Sequence, residues 1–330
     1  MENSPVTQPL HAAGYCCLKP TPEMSYNDHT WTRATTMLYV EHPLGTGFST
    51  GNKDPETEEE ASTDLDAFLQ NFFTIFDDLK EYKFFVTGES YAGMFIPSVG
   101  KYINANNKQG TSYNKGMDRI PIKLAGLAIG NGWIDPKIQG PATIDYSWWH
   151  GLIDKPTRDA LLNEWEHCMM TGKPSGQAGS PTEPPPFHEF NVQDDCGIMW
   201  GILQAAGNPN AYDITTWDPN VDQVTFSSEV FYNDPLVKDA LNVINKRHTW
   251  HGCQAGSGRR RLGVAQTIRK LYMDQDRPLS VVPYIAELLD DGLPIIVYNG
   301  DRGEYSCSLV IYAYFDFQSE PDIAFNLSNF

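Results

Sequence analysis

Phe84-Phe85-Val86-Thr87-Gly88-Glu89-Ser90-Tyr91-Ala92-Gly93 decides how this chain is read. Phe84-Phe85-Val86 has the aromatic and β-branched make-up of a buried strand. Glycine-flanked Ser90, in a segment of the G-x-S-x-G kind, follows at once, and a helix is predicted from about Ala92 to Asn106. Strand, tight turn and helix together point to a nucleophile elbow. Glycines at its flanks let helix and strand approach closely, and the sharp turn lifts the Ser90 hydroxyl clear of the sheet. Backbone N–H groups at the helix start then face a developing oxyanion.

Working outward, strand and helix signals alternate. Met37-Leu38-Tyr39-Val40 is a short run of strand formers before Pro43 and Gly45. From Thr63 to Leu79 apolar residues at 65, 68, 69, 72, 73, 76 and 79 form one helical face, and Glu58, Glu59 and Glu60 sit where a helix N-terminus favours negative charge. Leu124 to Ile129 is a further strand ending in Gly130-Asn131-Gly132, Val281 to Leu289 has helical spacing, and Pro294 to Tyr298 is another buried strand. This alternation predicts an α/β fold with a mainly parallel sheet flanked by helices. The middle third reads differently: helical patterns near Pro156–Met170 and Glu189–Ala206 flank a loop rich in glycine and proline, including Pro184 to Pro186. The expectation is one domain over residues 1–330, with a cap inserted at about 137–230. Arg259-Arg260-Arg261 reads as a solvated loop, with a processing site as the alternative.

The 330 residues include 24 Lys plus Arg against 42 Asp plus Glu, a formal charge of −18. Such a surface repels phosphate backbones and anionic lipid, so neither nucleic acid nor a membrane surface is an expected partner. No apolar run approaches the ~18 residues of a membrane span, and Met1-Glu2-Asn3-Ser4-Pro5 reads as no signal peptide. The six cysteines, at 16, 17, 168, 196, 253 and 307, form no CxxC pair, which argues against a zinc ribbon or a thioredoxin-type centre. Cys168 and Cys196 bracket the proline-rich loop and are the expected disulfide; Asn326-Leu327-Ser328 is a glycosylation sequon. No metal or organic cofactor is implied.

A serine nucleophile on such a turn needs an acid after a later strand and a histidine beyond it. Asn299-Gly300-Asp301 supplies an acidic loop after the strand Pro294 to Tyr298. The eight histidines lie at 11, 29, 42, 150, 167, 188, 248 and 251, so none follows Asp301.

Several motifs in register resemble the serine carboxypeptidases, members of the α/β-hydrolase superfamily. Gly88-Glu89-Ser90-Tyr91-Ala92-Gly93 matches the family's G-E-S-Y-A-G. Val40-Glu41-His42-Pro43-Leu44-Gly45-Thr46-Gly47-Phe48-Ser49 is similar to V-[DE]-Q-P-x-G-x-G-F-S, with His42 in place of Gln. Gly130-Asn131-Gly132-Trp133-Ile134-Asp135-Pro136 resembles G-N-G-x-x-D-P, and Ala211-Tyr212-Asp213-Ile214 and Asn233-Asp234-Pro235-Leu236-Val237 resemble two further landmarks. The resemblance runs from Met1 to about Cys307.

It implies that Ser90 is acylated, that the Tyr91 N–H is an oxyanion donor, and that Glu89 with Glu2 binds the terminal carboxylate of a peptide or protein substrate. Two adjacent carboxyls that share a proton can hydrogen-bond a third carboxylate, so such a site works in acid. The family's acid segment G-D-x-D-x-x-C is here Gly300-Asp301-Arg302-Gly303-Glu304-Tyr305-Ser306-Cys307. Counting back from Cys307 puts Glu304 at the catalytic acid, with Asp301 the alternative. The family's N-G-G-P-G-C-S-S segment and its histidine segment have no counterpart here, so the resemblance implies a chain truncated at both ends. Release of C-terminal amino acids through an acyl-enzyme on Ser90 is the implied function. The alternatives are a non-catalytic relative kept for binding or protection, and acyl transfer to an alcohol. Residence in a vacuole or lysosome, or outside the cell, follows from the resemblance alone.

Overall fold

The structure, a computed structural model, describes residues 16–18, 24–51, 53, 55–110, 112, 113, 117–171, 198–210, 212–215, 228–251 and 280–303. The three strands that organise it are β3 (Phe84–Glu89), β6 (Leu124–Gly130) and β7 (Ile295–Tyr298), in the order β3-β6-β7 with β6 central. Both pairings are parallel, with Glu89 opposite Gly130 and Gly130 opposite Tyr298 at the C-terminal ends. Two short antiparallel pairs also lie among the described residues: β1 (Cys16–Leu18) with β2 (Met24–Tyr26), and β4 (Ser112–Tyr113) with β5 (Met117–Asp118).

Helix α1 (Glu58–Ile75) starts where Thr57 caps it by accepting from the Glu60 amide, with Glu58, Glu59 and Glu60 in the first turn. That start combines a side-chain cap with acidic residues against the positive end of the helix dipole. Its inner face, Leu69 and Phe73, packs on Val99, Ile103 and Ile122. Helix α2 (Ala92–Gln109) turns its other side, Met94 and Ile96, onto Leu127 and Ile129 of β6 and onto Ile285 and Leu288 of α7 (Val282–Asp290). The alternation of β6 explains this: Leu127 and Ile129 share one face, while Gly126, Ala128 and Gly130 lie on the other.

The approach to β6 has lone backbone groups that helix side chains satisfy. Gln70 of α1 accepts from the Ile120 amide at 2.8 Å and donates to its carbonyl at 3.0 Å. Asn107 of α2 does the same for Ile122, at 3.1 and 2.7 Å. A primary amide can replace a neighbouring strand because it offers one donor and one acceptor side by side. Beneath them Arg119 and Asp66 form a two-pronged buried ion pair.

Helices α3 (Pro136–Trp149), α4 (Lys155–Thr171) and α5 (Ile198–Ala205) bury a separate cluster built on Ile144, Ile153, Leu161, Trp165, Ile198 and Ile202. A further short helix, α6, spans Pro235–Ala240. Helix α3 is capped by Asp135, which accepts from the Lys137 and Ile138 amides, with Pro136 at the first helical position. Cys168 on α4 is disulfide-bonded; Cys196 lies outside the described residues, as do Cys253, Cys307, Arg259 to Arg261 and Asn326.

One local expectation fails. Met37 to Val40 forms no strand: Leu38 packs against the α1–α2 cluster, while Tyr39 and Val40 are 42% and 37% exposed. An apolar run makes a strand only where a neighbour takes its backbone hydrogen bonds, and none pairs with this one among the described residues.

Candidate active site

The Ser90 turn is built by constraint from three directions. Its amide donates to the Gly130 carbonyl at 2.9 Å, and its own carbonyl accepts from Gly93 and Trp133, each at 3.0 Å. The result is φ = +64° at a serine, a left-handed backbone that is costly for a residue with a side chain. The second glycine of a strict G-x-S-x-G pattern is absent, since Ala92 stands there and the glycine follows at 93. Close approach explains that placement: a Cβ on Gly93 would lie 2.5 Å from the Trp133 carbonyl oxygen, and one on Gly88 would lie 2.7 Å from the Ala92 Cβ. Helix α2 therefore begins against the turn after β6, with Ser90 between strand and helix.

Glu89 is the last residue of β3. Burial pushes its carboxyl up to about 7, and its Oε2 is buried with no hydrogen-bond partner. A carboxyl in that condition holds its proton into weakly acid solution because its charged form is poorly solvated. Tyr91 is the residue just before α2; its ring meets Phe95 edge-on at 4.9 Å, and Phe95 meets His42 at 4.8 Å. Burial in these apolar surroundings pushes His42 down to about 4.

The loop after β7 is fastened to the same end of the sheet. The Asn131 amide donates to the Tyr298 carbonyl at 2.8 Å, and the Gly300 amide donates to Asn131 Oδ1 at 3.4 Å. The buried Tyr146 of α3 donates its hydroxyl to the Asp301 carbonyl at 2.8 Å, while the Ile214 amide donates to the Arg302 carbonyl at 2.9 Å. Asp301 is thus at the C-terminal edge that carries Ser90, with its side chain exposed. Glu304 and Glu2 lie outside the described residues.

No histidine among the described residues hydrogen-bonds Ser90. His248 Nε2 pairs with the Gly47 carbonyl at 2.8 Å, His251 faces Glu229 at 3.5 Å, and His150 Nδ1 meets the Tyr146 carbonyl at 2.9 Å. Neither do the described residues contain a His, Cys, Asp and Glu group able to hold a metal ion, and no described helix is long and apolar enough to cross a membrane.

Sequence reasoning picked out the Val40-to-Ser49 motif but not its partners. Glu41 accepts from the Phe48 amide at 2.6 Å and from Trp250 Nε1 at 2.5 Å. Burial, and then the Glu41 charge, pushes Tyr232 up to about 12. Asn233 clasps the Trp250 backbone from both sides, at 2.7 and 2.9 Å. Asn131, Tyr146 and Trp250 are separated from their partners by long stretches of chain, and no spacing rule connects them.

The serine carboxypeptidase family model (Peptidase_S10) matches residues 9–310. Serine carboxypeptidase-like 49 of Arabidopsis thaliana is 32% identical over 282 residues, covering 84% of this chain and 50% of that protein. The pheromone-processing carboxypeptidase kex1 of Aspergillus terreus is 27% identical over 310 residues, covering 86% and 44%. The chain spans about half the length of these relatives. Among solved structures, Kex1(delta)p, a prohormone-processing carboxypeptidase from Saccharomyces cerevisiae, superposes with a TM-score of 0.74 at 23% identity, over 96% of this chain and 66% of that one. The fold is that of the α/β-hydrolases, and Ser90 stands on a strand-to-helix turn of its sheet. By motif, by fold and by extent of the match, the chain belongs to the serine carboxypeptidase family.

Proposed function

We propose that Ser90 of this chain is the nucleophile of a carboxypeptidase site that releases the C-terminal residue of peptides. The observation that carries the reading is Ser90 at φ = +64° directly beside Glu89, whose buried carboxyl oxygen has no partner. In the proposed reaction the Ser90 Oγ attacks the last peptide carbonyl, its proton passes through a base to the leaving amine, and the C–N bond breaks to leave an ester on Ser90. Water then cleaves the ester and restores the hydroxyl. The Tyr91 N–H supports the oxyanion. Protonated Glu89, paired with Glu2, donates to the substrate's terminal carboxylate, and Glu304, with Asp301 as the alternative, orients the base. Residues 137–230 form the cap over one α/β domain of 1–330, a division supported by the separate cluster of α3, α4 and α5. An acidic vacuolar or lysosomal compartment, or the cell exterior, suits a site that needs Glu89 protonated.

The test is calorimetric titration with a short blocked peptide at about pH 5, bearing either a free carboxylate or a C-terminal amide. The carboxylate form is expected to bind, and the amide form and Glu89→Ala to lose at least about tenfold, the loss of one hydrogen bond to a charged group. Equal affinity for the two peptides would sink the reading. A second reading, a non-catalytic relative kept for binding, draws support from the absence of a described histidine on Ser90. With no described histidine on Ser90, turnover of a blocked dipeptide is expected near background, since losing the histidine base costs subtilisin about 10⁶-fold.

A further inference from the structure

Glu89, Gly130 and Tyr298 form one row across the three strands, in register at their C-terminal ends. Neighbours in such a row project on the same side of a parallel sheet, and Thr87, two residues before Glu89, shares that side. Gly130 has no side chain to separate its neighbours. A Cβ there would lie 2.6 Å from the Tyr298 ring, so the ring lies directly over the β6 backbone. Desolvation, followed by the charge of Glu89, raises the Tyr298 phenol, and Thr87 acts on it in the opposite sense. The phenol thus reaches across β6 to the strand that ends in Glu89.

We infer that Tyr298 is a positioning residue for Glu89: its ring, seated on Gly130, keeps water from the Glu89 carboxyl on the sheet side. The inference rests on the reading of Glu89 as the group that meets the substrate carboxylate. Other charges are poorly placed to do this work. Strand β6 carries no titratable residue, β7 carries only Tyr298, and α2 carries no charged residue before Lys101. In the loop beyond β7 Asp301 and Arg302 are exposed. Burial is what raises the Glu89 carboxyl, and a ring lying over a bare backbone is a direct source of burial.

The experiment is a pH titration of the whole chain labelled with ¹³C at glutamate side-chain carboxyls, with Glu89→Gln identifying the resonance. Wild type is expected to titrate near 7. Tyr298→Ala admits water and lowers the midpoint by about one pH unit or more, whereas Tyr298→Phe keeps the ring and the midpoint. If the alanine variant fails to fold, Tyr298→Leu retains an apolar strand residue without the reach to Glu89 and is expected to lower the midpoint likewise. An unchanged midpoint in the folded alanine or leucine variant overturns the inference, as does a phenylalanine variant that shifts as far as alanine. Peptide affinity measured in parallel separates the two ideas. A shifted midpoint without any carboxylate preference keeps the role of Tyr298 and removes the binding reading; a carboxylate preference with an unmoved midpoint does the reverse.

Discussion

The amide of Trp133 donates to the carbonyl of Ser90 at 3.0 Å, so the turn that follows β6 latches the turn that follows β3. Gly93 is the residue that permits this closeness. Gly93→Ala is expected to push the two turns apart and cost about 1–3 kcal/mol, as overpacking does. Urea denaturation of the variant checks it; stability within experimental error of wild type would show that the latch yields easily.

Glu89 and His42 titrate in opposite senses around the same end of the sheet. Glu89 has a folded value near 7 against an ordinary 4.5, so its stabilising contribution is complete below pH 4.5 and is lost as pH rises through about 7. His42 has a folded value near 4 against 6.5, so its contribution is complete above pH 6.5 and is lost as pH falls towards 4. Each amounts to about 3 kcal/mol at most. Their slopes cancel between about pH 4.5 and 6.5. His42→Gln is expected to leave a stability that declines with rising pH, and Glu89→Gln one that increases. Urea midpoints at several pH values decide it, and parallel profiles for the two variants would contradict both shifts.

Arg119 and Asp66 are 7% and 3% exposed in their side chains, a pair that folding has removed from water. Asp66→Asn strands the guanidinium and is expected to cost about 3–5 kcal/mol. Replacing both residues by apolar ones of similar volume is expected to recover much of that loss. A neutral Asp66→Asn, measured by thermal or urea unfolding, would mean that water reaches the pair.

Trp250 is 2% exposed and its Nε1–H donates to Glu41. Trp250→Phe keeps most of the ring but removes this donor from a carboxylate facing Gly47, and is expected to cost about 1–3 kcal/mol. The loss is expected to shrink in a Glu41→Gln background, where no charge is left short of a partner; a double-mutant cycle measures the coupling.

Elements whose cause is local were legible in the sequence. The period of Leu65, Leu69, Phe72 and Phe73 defined α1, although it begins earlier than the apolar spacing suggests because Thr57 and the glutamates set its start. Phe84 to Ser90 could be read because strand composition, glycine and helix follow one another directly. Helix α3 was hidden: Pro141 sits inside it, and its start depends on Gln139, which accepts from the Ile134 and Asp135 amides at 2.6 and 2.9 Å. The turn that carries Glu89 and Ser90, and with it the candidate site, was legible for the same local reason. Tyr298 was counted only as a strand residue, because its relation to Glu89 exists only through the register of three strands distant in sequence.

The side of the sheet that holds Glu89 also holds Phe85, Ile296 and Tyr298, which are 59%, 59% and 43% exposed. In colloidal terms these are adhesive faces on a particle of formal charge −18 and isoelectric point near 4.7. At neutral pH long-range repulsion keeps two such faces apart. That repulsion vanishes in the acid range where Glu89 is fully protonated, so the conditions that ready the carboxyl for a substrate are also those in which one molecule adheres to the next. At its acid limit the protein is therefore expected to self-associate as its concentration rises.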